Sequence, residues 1–137
     1  VCTLVDVYGH HPQEIDAVVK AARLAWPERR LVMVFQPHRY SRTRDLYEDF
    51  VQVLSGLDHL LVLKEFTAGE KPIVKADGKS ICASLRALGH EPTYVRDYDE
   101  IVEKLALVVQ SNDVVIFQGA GDIGRYVQRF LTGLSVK

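Results

Sequence analysis

Five short apolar runs, each followed by a segment of helical period, constrain this chain more than any other feature. The runs fall at residues 2–7, 30–35, 59–63, 93–95 and 113–117, and Val, Ile, Leu and Phe fill most of them almost continuously. Such runs suit parallel strands buried on both faces, whereas a sheet with one wet face alternates apolar and polar residues. Between the runs the period changes. Ile15, Val18, Val19 and Ala22 stand at i, i+3, i+4 and i+7, one face of a helix. Pro12 suits its first turn, where a missing N–H costs nothing, and Glu14 and Asp16 lie near the positive end of its dipole. A second stripe joins Leu46, Phe50, Val53 and Leu57. Further helices are expected over 79–88, ending near Gly89, over 100–109 with Ile101, Leu105 and Val108 inward, and over 123–131. Strand and helix alternating five times predict an α/β fold of three layers, a mostly parallel sheet with helices on both faces. Residues 65–76, with Gly69, Pro72 and no period, read as a long loop. A chain of 137 residues fits one domain with one core over 1–137.

Charge and composition exclude several classes. The formal net charge is −1, so no global field recruits nucleic acid or a membrane surface, and any anion must be held locally. No apolar run approaches the roughly 20 residues of a membrane span. Cys2 and Cys82 stand in no Cys-x-x-Cys or Cys/His spacing and read as two reduced thiols. The start lacks the basic, apolar pattern of a signal peptide. These features lead us to expect a cytoplasmic protein, cut from something longer.

In a parallel sheet ligands bind outside the carboxyl ends of the strands. The loops there are 6–12, 36–44, 64–78, 96–99 and 118–122, and unusual residues concentrate in the first, second and last. The second loop carries Arg39, Arg42 and Arg44, preceded by His38. Guanidinium forks suit carboxylate or phosphate, and Ser41 or Thr43 is placed to cap the next helix, whose amino end also favours anions. The alternative is a solvated cluster, with Arg44 the most structural of the three and paired to Asp45 or Glu48. The first loop carries Tyr8, His10 and His11, suited to a polar contact with an anionic ligand or to packing. His10 and His38 could pair across adjacent loops, but no acid or cysteine has the spacing to complete a metal site, so no metal is expected. His59 and His90 read as structural. The last loop, Gln118-Gly119-Ala120-Gly121-Asp122-Ile123-Gly124, has the form GxGxxG. A dinucleotide fingerprint belongs to a first βαβ unit with an acid about 20 residues on, and only 13 residues follow Gly124. Its glycines read instead as sites of close backbone approach to a ligand or a neighbouring loop. There is no GxxxxGK[ST] phosphate loop and no nucleophile elbow, and neither cysteine sits in an electropositive loop. A chain that holds anions without a complete catalytic set fits a substrate-binding or lid domain of a larger enzyme.

At these loops the chain resembles the Mur ligase family, at its C-terminal domain. The matching stretches are Tyr8-Gly9-His10-His11-Pro12, Val34-Phe35-Gln36-Pro37-His38-Arg39-Tyr40 with Ser41-Arg42-Thr43-Arg44, and Gln118 through Gly124, and the likeness covers essentially the whole chain. The second stretch is the most specific, because family members that attach preformed peptides differ there. The resemblance implies an ATP-dependent ligase of peptidoglycan and cell-wall synthesis, serving cell shape, division and the cell cycle. In it ATP phosphorylates the carboxylate of UDP-N-acetylmuramate, and the amine of L-alanine attacks the acyl phosphate. It implies an N-terminal UDP-sugar domain and a central domain with the ATP phosphate loop and most Mg2+ ligands, both outside this chain. It further implies that this domain alone is inactive and binds neither ATP nor Mg2+ by itself. One strand of the sheet would be antiparallel. Carried over by position, His10, His38, Arg39 and Arg42 would line the L-alanine and acyl-phosphate region, an arginine holding the alanine carboxylate. Tyr8 with His38 would wall a pocket small enough to favour a methyl group. Gly119, Gly121 and Asp122 would form a supporting loop. The chain departs from the family at Val7, where an acid usually meets the ATP ribose, which leaves Asp6 as the nearby carboxylate. The rival readings are a recycling ligase that attaches a tripeptide, a stand-alone nucleotide-binding module, and a non-catalytic family remnant.

Overall fold

The computed structural model describes residues 3–9, 11–119 and 123, apart from the side chain of residue 8. Its five strands are β1 (Thr3–Tyr8), β2 (Leu31–Phe35), β3 (His59–Leu63), β4 (Thr93–Val95) and β5 (Val114–Gly119). They form one sheet in the order β1-β5-β2-β3-β4, and every described pair is parallel. The antiparallel strand implied by the resemblance is not among the described residues. The helices are α1 (Pro12–Ala25), α2 (Tyr40–Asp45), α3 (Tyr47–Leu54), α4 (Gly78–Ala87) and α5 (Ile101–Val108), the last preceded by a 3-10 turn at Tyr98–Glu100.

Burial explains the apolar runs. β2 and β5 lie inside the sheet and every residue of both is buried, so neither face tolerates a polar alternation. One face packs Leu31, Met33, Phe35, Val114 and Ile116 against Ile15 and Ala22 of α1, Phe50 and Leu54 of α3, and Ile81 and Leu85 of α4. The other packs Val32, Val34, Val115 and Phe117 against Ile101 and Leu105 of α5 and against Ile123. These are the expected three layers. The expected helix over 123–131 lies outside the described residues, Ile123 apart.

Two local expectations are corrected. The second loop is not loop throughout: Tyr40 turns into α2, and a break at Leu46 separates it from α3. Neither Ser41 nor Thr43 caps a helix. Both lie inside α2, and Thr43 donates its hydroxyl to the carbonyl of Arg39 at 3.0 Å. Leu57 belongs to the core as expected but lies beyond the end of α3.

The two ends of the sheet differ in chemistry. At the amino ends, ion pairs latch the strands. Buried Asp113 accepts from Arg30 Nη2 at 2.8 Å and from the Gln110 N–H at 2.7 Å. Asp58 accepts from the Leu31 N–H at 2.7 Å and from Arg23 at 3.0 Å. At the carboxyl ends, Glu65 and Glu70 instead accept from hydroxyls and backbone N–H groups, and Gln36 and Gln118 donate to the Tyr98 hydroxyl and the Gly9 carbonyl.

Candidate functional site at the carboxyl edge of the sheet

Strand order brings the first, second and last loops together. β5 lies between β1 and β2, so two strand spacings, about 10 Å, separate the ends of β1 and β2. The first and second loops are therefore not adjacent, and the end of β5 stands between them. Backbone bonds fix this seam: the Gly9 N–H donates to Gly119 O and the Gln36 N–H to Gln118 O, both at 3.0 Å. The chain leaves β1 and β2 for α1 and α3 on one face, whereas Ile123, after β5, packs on the other. Connections that part to opposite faces open a crevice at the strand ends, where ligands of such sheets bind.

Close approach at this seam leaves no room for side chains. A Cβ on Gly119 would lie 3.0 Å from Ile123 Cγ2 and 3.2 Å from Gln36 Oε1. One on Gly9 would lie 2.7 Å from Gln118 Nε2. Gln36 and Gln118 are fully buried, on opposite faces of the sheet. Gln36 donates to Tyr98 Oη at 2.6 Å, whose hydroxyl donates to Lys64 O at 2.5 Å, and Gln118 donates to Gly9 O at 3.1 Å. Among the described residues the Oε1 atoms of both carboxamides have no hydrogen-bond partner. Two open acceptors thus flank the end of β5, where each unpaired buried acceptor costs about 1–3 kcal/mol.

The first loop enters α1 through His11. Its Nδ1 accepts from the Gln13 N–H at 3.1 Å while Glu14 Oε1 accepts from the His11 N–H at 3.1 Å, a reciprocal capping box. His11 therefore fixes the start of α1. His10 and the side chain of Tyr8 lie outside the described residues, as do Gly121 and Asp122. Val7 packs against the core on the α1 side, whereas Asp6 is exposed and by alternation shares the opposite face with Leu4. The two positions cannot substitute for one another.

The second loop holds its cations in a defined geometry. His38 is half-buried and stacks on Phe66, with ring centroids 5.2 Å apart and planes 21° apart. Its Nδ1 lies 3.0 Å from Nη1 of half-buried Arg42, one turn on. Arg39 is exposed and has φ 59° with ψ 151°, beside a region that is almost exclusively glycine's. Such a backbone costs about 1–3 kcal/mol and persists only where the surroundings over-determine it. Arg44 pairs with Asp45 at 2.9 Å on the surface, the structural role expected of it. His59 lies at the other end of the sheet, where burial and the nearby Arg30 charge lower its pKa.

Sequence patterns gave no sign of the groups that hold this loop. Glu65 is buried and accepts from the Tyr40 hydroxyl at 3.0 Å and from the Gly78 N–H at 3.1 Å. Burial and Glu65 together push the Tyr40 phenol up to about 12. Phe66 donates its N–H to Pro37 O at 2.9 Å and accepts from the Arg39 N–H at 2.8 Å. Glu70 accepts from the Ser41 N–H at 3.0 Å and from its hydroxyl at 2.6 Å, and these bonds hold its carboxyl below the usual range. The only signal available was position: all three follow the third apolar run, in the segment read as a long loop. Among the described residues no group of three or more His, Cys, Asp or Glu side chains is placed to hold a metal ion. Among them, too, no helix is long and apolar enough to cross a membrane.

Fold and edge together define a parallel α/β domain with Arg39, Arg42 and Arg44 gathered beyond the carboxyl end of β2. Residues 1–121 match the family described as Mur ligase, glutamate ligase domain, and the chain belongs to that family. Three solved structures share the fold. UDP-N-acetylmuramate-alanine ligase MurC from Thermotoga maritima is 27% identical with a TM-score of 0.74, over 98% of this chain and 27% of that one. A murein peptide ligase from Psychrobacter arcticus is 17% identical with a TM-score of 0.76, over 97% of this chain and 27% of that one. A domain from Haemophilus ducreyi, assigned to a UDP-N-acetylmuramate:L-alanyl-gamma-D-glutamyl-meso-diaminopimelate ligase, is 22% identical with a TM-score of 0.72, over 97% of this chain and 91% of that one. The chain therefore spans about a quarter of the length of the first two.

Proposed function

We propose that this chain is the amino-acid-binding, closing domain of an ATP-dependent ligase that joins L-alanine to UDP-N-acetylmuramate in cytoplasmic peptidoglycan synthesis. The observation that carries this reading is the second loop, where exposed Arg39 in a strained backbone and Arg42 braced by His38 stand at the carboxyl edge. Arg39 or Arg42 holds the carboxylate of the incoming amino acid through charge-assisted bonds, leaving its amine directed at the activated carbonyl. His10 and His38 border the same region, and Tyr8 with His38 limits the side chain to a methyl group. Gly119, Gly121 and Asp122 support the loops from the end of β5. The protein's contribution is orientation and charge stabilisation, with no covalent intermediate on the chain.

By the family's division of labour, Mg2+ and the ATP phosphates are assigned to a central domain and the UDP-sugar to an N-terminal one. When bound there, ATP supplies the phosphoryl group that activates the muramyl carboxylate. Val7 packs toward the core and accepts no bond from a ribose hydroxyl, and Asp6 leaves the opposite face of β1, so the ribose contact of this chain is weaker than the one usual in the family.

The test uses the full-length protein with ATP, Mg2+ and UDP-N-acetylmuramate. ADP release should depend on L-alanine, and L-alanyl-γ-D-glutamyl-meso-diaminopimelate should replace it poorly. Preference for the tripeptide would move the chain to the recycling branch of the family, and no release with either would remove the activity. Tight nucleotide binding by these 137 residues alone would favour a stand-alone module.

A further inference from the structure

Arg39 carries the most improbable backbone at the carboxyl edge, and it does so at a helix start with no cap of its own. As the residue before α2 it makes no side-chain capping bond, so the first N–H groups of the helix need acceptors from elsewhere. Glu70 supplies them across the edge, from the segment after β3. One oxygen accepts the Ser41 N–H at 3.0 Å, the other accepts the Ser41 hydroxyl at 2.6 Å, and the Tyr40 N–H and the Arg39 charge also act on the carboxylate. The Arg39 N–H is taken by Phe66 O at 2.8 Å, and its carbonyl receives the Thr43 N–H and hydroxyl at 3.2 and 3.0 Å. Arg39 is thus pinned on both sides, and Glu70 brings a negative charge to the clamp.

We propose that Glu70 is a positioning residue for the amino-acid site: it caps α2 from the neighbouring loop and holds Arg39 in its positive-φ conformation, which sets the direction of Arg39 and Arg42. This rests on the functional reading above and adds to it a residue outside the cationic loop. Glu70 touches no substrate. It acts by fixing a backbone that would otherwise relax, and a site loosened by a fraction of an ångström loses oriented binding.

The experiment compares Glu70→Ala and Glu70→Gln in the full-length protein. Glu70→Ala should raise the KM for the amino-acid substrate about ten-fold by letting the arginines drift from the bound geometry, with kcat within about two-fold. Glu70→Gln keeps an oxygen for the Ser41 N–H and an amide for its hydroxyl, and should return KM to within about three-fold of wild type. A fall in melting temperature with KM unchanged in Glu70→Ala would overturn the proposal, as would failure of Glu70→Gln to rescue. Amide hydrogen exchange at Ser41, whose N–H goes to Glu70, and at Thr43, whose N–H goes to Arg39 O, reads the clamp in the same proteins without any turnover. It should quicken at least about ten-fold in Glu70→Ala, and equal rates would refute the clamp. If wild type shows no amino-acid-dependent ADP release, the functional reading fails, and exchange still decides whether Glu70 fixes Arg39.

Discussion

Tyr40→Phe tests how firmly the second loop is tied to the core. Tyr40 is 5% exposed and its hydroxyl donates to Glu65 Oε1 at 3.0 Å. Glu65 is 8% exposed, and its other oxygen accepts the Gly78 N–H at 3.1 Å. Removing the hydroxyl leaves a buried carboxylate with one of these two donors, and water reaches it poorly. A hydrogen bond to a charged group contributes about 1.5–3 kcal/mol, so the variant should lose about 2 kcal/mol. In urea, with a slope of about 1–3 kcal/mol per molar, that is a midpoint lower by roughly 1 M. In a thermal melt it is roughly 6–10 °C. A Glu65→Leu background removes the charge, and there Tyr40→Phe should cost less than half as much. The linkage has a definite sign. Burial and Glu65 raise the Tyr40 phenol from 10 to about 12, so its contribution is fully present below pH 10 and is lost as pH rises through 12. The phenylalanine variant should lack this alkaline loss. A penalty under about 0.5 kcal/mol, the size of an ordinary surface change, would show that Glu65 and Tyr40 do not tie the loop to the core.

Other outcomes follow from the same structure. Gly78→Ala would place a Cβ 2.7 Å from the Leu63 carbonyl oxygen and should destabilise by about 2 kcal/mol or more in a denaturant titration. Cys82 is 1% exposed and its thiol is pushed up to about 11, so native protein at pH 8 should resist alkylation and react only on unfolding. Glu70 has its carboxyl lowered by the Ser41 bonds, so its contribution is present above the ordinary carboxylate value and lost as pH falls through the lowered one. Acid exchange measurements should find the start of α2 opening before α4 does.

How much was legible in sequence depended on the range of the forces involved. The buried strands were plain because continuous burial leaves a continuous apolar run: residues 59–63 and 93–95 match β3 and β4 to the residue. β5 extends past the expected end at Phe117 because Gln118 and Gly119 go on pairing with Val7 and Tyr8, and a polar pair masks a strand end. The turn into α2 was missed because six residues bury only Tyr40 and Thr43, too few to show a period. The cations of the second loop were visible as a local cluster. Their supports were not, because Glu65 meets Tyr40 from 25 positions away, Glu70 meets Ser41 from 29, and Gln118 meets Gly9 from 109. Buried polar groups find partners through the fold, and no local pattern announces such a pairing. The unsatisfied oxygens of Gln36 and Gln118 belong to the same class.

The claim that the second loop receives the amino-acid carboxylate is tested most directly by the KM for L-alanine in full-length Arg39→Ala and Arg42→Ala. Loss of a charge-assisted bond should raise it about 10- to 100-fold in at least one of the two, with the KM for UDP-N-acetylmuramate little changed. Lysine should restore little at that position, because a point charge does not reproduce a planar fork. An L-alanine KM equal to wild type in both variants would contradict the assignment.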